Sequence, residues 1–156
     1  AATAPRRRET PEEVMNAQVI PDQHGMNGDL LTAFEALTLD PRQFSHRRHL
    51  ELGWRYLQRY GFPQGAATFC ERLREYVTHV GAAAKYHETI TLFWVKRVRA
   101  FLWRAGEGRT LAQLANEVSA GCGGAGLVGE YYSKARLDSE EARTRWVEPD
   151  LKPLDF

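Results

Sequence analysis

The sequence predicts an all-α fold, a single-domain helical bundle of about four main helices with short C-terminal helices after them. Three observations predict it. From residue 29 onward apolar residues recur at helical spacing, and capping and breaking signals bracket each run. No segment alternates apolar and polar residues as a strand would; Val77-Thr78-His79-Val80 comes nearest, inside a helical period. The 156 residues suffice for one domain whose core needs no disulfide or metal.

Residues 1–28 read as a flexible N-terminal tail, and 29–156 as the helical domain. The tail holds Pro5, Pro11, Pro21, Gly25, Gly28 and the run Arg6-Arg7-Arg8, with no sustained apolar period; its His24 is a solvated loop residue. Asp29 caps a first helix over 30–38, apolar through Leu30, Leu31, Phe34 and Leu37. Asp40-Pro41-Arg42-Gln43 combines an acidic cap, Pro at N1 and Gln at N3, and starts a second helix that runs to Tyr60 and stops at Gly61. A third covers about 64–80 and ends at Gly81, and a fourth covers about 83–104 and ends at Gly106. Thr110-x-x-Gln113 opens a helix over 111–120, residues 127–136 form a sixth, and Asp138-x-x-Glu141 caps a short seventh. Pro149 and Pro153 keep the end of the chain extended.

Charge and cysteine usage narrow the function classes. With 21 Lys+Arg against 20 Asp+Glu the net charge is +1, which argues against a nucleic-acid binder. No apolar run approaches the ~18 residues of a membrane span. No apolar stretch follows the Arg run, so no secretory signal is read. Cys70 and Cys122 have no metal-type spacing. A reduced, cytoplasmic protein is the expectation.

The histidines divide by helical angle. On the second helix His46 falls at the centre of the stripe holding Leu50, Gly53, Leu57 and Tyr60, and His49 lies on its flank one turn along. On the fourth, His87 falls at the centre of the stripe holding Ile90, Thr91, Trp94, Val98 and Phe101, with Glu88 at its edge. His79 points away from the face formed by Ala66, Phe69, Cys70, Leu73, Tyr76, Val77 and Val80 and reads as a surface residue. Short connections make neighbouring helices antiparallel, so helices two and four run the same way. His46, His49 and His87 then lie about 7, 12 and 6 Å along their helices, at one end of the bundle.

Three chemical readings follow. His46, His49 and His87 bind a divalent transition metal, Fe or Zn, with Glu88 or Glu35 as fourth ligand or outer partner. Alternatively a buried neutral His is a general acid or base above Trp54 and Trp94, with Glu88 or a hydroxyl of Tyr86, Tyr131 or Tyr132 as partner. Or the histidines only satisfy one another in a polar core layer.

Other features are read structurally. Gly121-Cys122-Gly123-Gly124-Ala125-Gly126 lacks the strand that would make it a phosphate loop and is a flexible connection, with Cys122 an accessible thiol. Cys70 is an inert core residue. Trp54, Phe93, Trp94, Phe101 and Trp103 are core, and Lys96-Arg97-Val98-Arg99 is a solvated helix face.

Phe44-Ser45-His46-Arg47-Arg48-His49-Leu50 with Trp54-x-Tyr56-Leu57, Tyr86-His87-Glu88-Thr89-Ile90-Thr91, Tyr131-Tyr132-Ser133 and Trp146-Val147-Glu148-Pro149-Asp150-Leu151 resemble a family of small bacterial helical proteins with no activity attached. The likeness runs over about residues 29–154 and implies a free-standing bacterial domain.

The expectation is a small-molecule enzyme, metal-dependent through His46, His49 and His87, with Glu88 and His87 as catalytic groups and a substrate pocket of Trp54, Thr91, Trp94 and Tyr131. The alternatives are a metal-free lyase, isomerase or hydratase using the same histidines, and a non-catalytic module that binds a partner through helices five to seven. Trp146 to Phe156 would cover the pocket mouth or clasp a second subunit of a homodimer.

Overall fold

The structure, a computed structural model, describes residues 30–105, 113, 116, 117, 120 and 124–156. Its helices are α1 (Leu30–Glu35), α2 (His46–Tyr60), α3 (Gln64–His79), α4 (Glu88–Ala105), α5 (Val128–Tyr131), α6 (Lys134–Asp138) and α7 (Glu140–Thr144), and there is no strand among the described residues. The predicted tail, His24 and Cys122 lie outside the described residues. Of the helix predicted over 111–120, only Gln113, Asn116, Glu117 and Ala120 are described, and each is helical.

Helix starts depart from the sequence reading because local hydrogen bonds compete for them. Asp40 caps only a 3-10 turn, Pro41–Gln43, by accepting from the Arg42 N–H at 2.9 Å. The chain then extends, and Ser45 caps α2 by accepting from the Arg48 N–H. His46 is therefore the first residue of its helix and not one turn inside it. Similarly, Ala83–Lys85 forms a 3-10 turn, Tyr86 is extended, and α4 begins at Glu88. The first helix ends early at Glu35, where Leu37 takes a left-handed φ of 62°. The region read as one helix over 127–136 is broken after Tyr131, and Ser133 caps α6. Ser139, not Asp138, caps α7. The ends of α2 and α3, at Gly61 and before Gly81, fall where the sequence puts them.

Two aromatic clusters flank the middle of the bundle. Phe34 of α1 packs on Phe69 and Tyr76 of α3 and Tyr56 of α2, and the Tyr76 hydroxyl donates to the Leu39 carbonyl at 3.0 Å. On the other side Phe93 of α4 packs on Tyr131, Tyr132 and Phe156. His79 is exposed and Cys70 buried, as read from the wheel. Trp103, predicted as core, is 90% exposed.

Residues 146–156 cross α4 and α5 as an extended strap. The Thr89 hydroxyl donates to the Arg145 carbonyl at 2.8 Å and accepts from the Val147 N–H at 3.2 Å. The Tyr132 hydroxyl donates to the Val147 carbonyl, and the Leu151 N–H to the Tyr131 carbonyl. Lys96 lies over the Trp146 ring and Arg97 over Phe156. The basic run of α4 is thus a clamp for the strap as well as a wet face. Thr89 is 0% exposed, so Thr89→Val keeps the volume but strands a carbonyl and an N–H. Urea unfolding should show a loss of roughly 2–3 kcal/mol; a loss below about 0.5 kcal/mol would mean that the hydroxyl does not staple the strap.

Among the described residues, no helix is long and apolar enough to cross a membrane.

Candidate functional site

His87 sits just before α4, outside any helical face, and its ring caps the helix. The Ile90 N–H donates to Nδ1 at 3.1 Å, so Nε2 carries the proton and donates to the Leu137 carbonyl at 2.7 Å. Both nitrogens are engaged, and the ring joins the start of α4 to α6. Burial holds the imidazole below its ordinary range; the Leu137 hydrogen bond opposes this and the Arg143 charge adds to it. His87 is therefore neutral at pH 7.

The other two histidines face a different neighbourhood. The His46 ring stands edge-on to Trp94, with centroids 4.4 Å apart. His49 is held between Phe44 and Phe69, at 5.8 and 5.4 Å, and its buried Nε2 has no hydrogen-bond partner. Arg47, between them in sequence, donates to Asn116 at 2.5 Å, which places Asn116 beside this end of α2.

The structure does not bring the expected triad together. No group of three or more His, Cys, Asp or Glu among the described residues is placed to hold a metal ion. The physical reason is the break at Tyr86: it turns the His87 ring onto its own helix end and α6, and leaves no lone pair for a ligand bond. Glu88, expected to act with His87, faces the other way. It accepts from Arg74 of α3 at 3.2 Å and from the Tyr86 hydroxyl. Cys70 lies against this pair, and burial and the Glu88 charge push its thiol up to about 11, so it is an un-ionised thiol at neutral pH. Glu35 likewise serves α2, accepting from the Tyr56 hydroxyl at 2.9 Å and from Arg59.

Burial, with the His46 charge, pushes His49 down to about 4. In the unfolded chain it titrates near 6.5. Between these values the unfolded state holds more protons, so stability is lost as pH falls from about 6.5 toward about 4. The share due to His49 is at most about 3 kcal/mol. His87 adds a shift of the same sign. His49→Leu should flatten much of this stretch in a pH series of urea unfolding; an unchanged slope would overturn the assignment.

A cleft of about 490 Å³ opens beside His87. Ile90, Tyr132, Leu137 and Leu151 form its apolar wall; Lys134, Asp138 and Arg143 also line it. Leu151 of the strap is 56% exposed there. The polar groups are fixed by one another: Lys134 pairs with Asp138, and the Ser133 hydroxyl donates to Asp150 at 2.5 Å. None of the pocket residues expected from sequence lines this cleft. Trp54, Thr91, Trp94 and Tyr131 are all buried in the core, where the Thr91 hydroxyl donates to the His87 carbonyl and Tyr131 to Asp155. The cleft residues Lys134, Leu137 and Arg143 carried no sequence signal, because they meet His87 only through the return of the chain.

The chain matches no family model, no curated protein and no solved structure.

Proposed function

We propose that the protein binds a small molecule with an apolar body in the cleft beside His87. The observation that carries this reading is the cleft itself. Its volume of about 490 Å³ lies in the range of small-molecule sites, and apolar walls with a few fixed polar groups suit such a ligand. The walls come from α4, α5, α6, α7 and the strap, and His87 ties the first of these to α6. His87 acts here as a positioning residue, since proton transfer through its ring would break either the cap or the bond to Leu137. The small-molecule partner expected from sequence is retained, while its seat moves away from His46, His49, Trp54 and Trp94.

Gly129 provides the test. It lines the cleft, and a Cβ placed on it meets nothing within 4 Å. Gly129→Trp should fill the cleft and leave the fold intact. With n-hexanol as probe, amide resonances of Ile90, Gly129 and Leu137 should shift in the wild type. In Gly129→Trp those of Ile90 and Leu137 should stay still at an unchanged Tm. No shift with any six-carbon probe, or equal shifts in the filled variant, would overturn the reading.

A further inference from the structure

We propose that the cleft selects a monocarboxylate with a short apolar chain, and that its carboxylate sits on Arg143. The inference rests on the reading of the cleft as a ligand seat and adds the chemical class of the ligand.

Arg143 of α7 is exposed at the cleft, and its Nη1 donates to the Ala84 carbonyl at 3.1 Å. That bond takes one of the five guanidinium donors and orients the group without neutralising it. Arg143 forms no ion pair among the described residues. The second lining cation, Lys134, is matched by Asp138 one turn along α6. His87 is neutral, for the reasons given above. The Arg143 charge also reaches Asp138, so the lining holds two cations against one carboxylate, a surplus of one positive charge beside an apolar wall.

The charge count favours a monoanion. A carboxylate meets a guanidinium edge with two parallel hydrogen bonds, and a single positive charge balances it. A dianionic phosphate would carry charge that Arg143 alone does not match, and Asp138 would repel it about twice as strongly as a monoanion. A neutral ligand would use the wall and leave Arg143 to water. The chain would lie against Ile90, Leu137 and Leu151.

Four probes read by the same amide shifts test this: n-hexanoate, n-hexanol, hexylamine and hexyl phosphate. Hexanoate should bind about five-fold more tightly than hexanol, the scale of one solvent-exposed ion pair. Hexylamine should bind most weakly. Arg143→Gln should bring hexanoate to the level of hexanol and leave hexanol itself unchanged, and Arg143→Lys should keep part of the preference. Equal affinity for hexanoate and hexanol would overturn the inference and leave the cleft reading standing. A hexanoate preference that survives Arg143→Gln would overturn the role of Arg143, and hexyl phosphate binding above hexanoate would overturn the class. Silence from all four probes would overturn the cleft reading itself.

Discussion

Gly65→Ala is expected to cost about 3 kcal/mol, because an added Cβ there meets the tightest contact of any described glycine. Gly65 lies in the first turn of α3, and a Cβ there would stand 2.5 Å from the Tyr56 carbonyl oxygen and 2.9 Å from its carbon. Both are backbone atoms of α2, so no side chain can swing aside. The two helices must separate locally. Gly81 gives the comparison. Its φ of +75° strains any other residue, but a Cβ there meets nothing within 4 Å. Gly81→Ala should cost only about 1–2 kcal/mol. Urea unfolding of both variants separates steric contact from backbone strain. A Gly65→Ala cost no larger than that of Gly81→Ala would mean that α2 and α3 do not approach so closely.

Phe69→Ala should cost about 3–5 kcal/mol. Phe69 is 0% exposed and packs on α1 and α2: its ring lies 6.1 Å from Phe34, 5.6 Å from Tyr56 and 5.4 Å from His49. Truncation leaves a hole that two helices and α1 cannot all close into. It also opens the cage around His49. With water admitted, the imidazolium is less disfavoured and the His49 pKa rises toward its ordinary value. The variant should thus be less stable at pH 7, and its stability should also fall less steeply between about pH 6.5 and 4. NMR titration of the His49 ring protons checks the second effect. A pKa still near 4 in the variant would mean that Phe69 is not what shields the ring.

Periodicity and stop signals were enough to read the helical class, the ends of α2 and α3, the exposure of His79, the burial of Cys70 and the extended C-terminal segment. Gly61, Gly81, Pro149 and Pro153 act locally, so their effect is written beside them. The starts of α2 and α4 were not legible in the same way. Asp40 and Ser45 both offer a cap to the same stretch, and the choice between them depends on tertiary contacts of Phe44, whose ring packs on Phe34 and Tyr76. A helical wheel assumes that the helix already includes the residue being placed. His87 lies before its helix, so its wheel angle carries no information about its partners. The cleft was illegible for a different reason. His87 reaches Leu137 across 50 positions, and Arg143 reaches Ala84 across 59. No local pattern encodes such pairs.

The strap has a consequence for the order in which the molecule assembles. The Thr89 bonds to Arg145 and Val147 span 56 and 58 positions, whereas the turns of α2 and α3 close within a few. Long closures carry the larger entropy cost and form after local ones. The strap is thus the last piece able to dock and the first able to lift, a separate opening unit whose Val147 and Leu151 amides should exchange with solvent ahead of those in α2 and α3. Leu151 is also a wall of the cleft. A molecule seated there binds only the docked form, so its occupancy and the slowing of strap exchange are two measures of one equilibrium, linked by mass action.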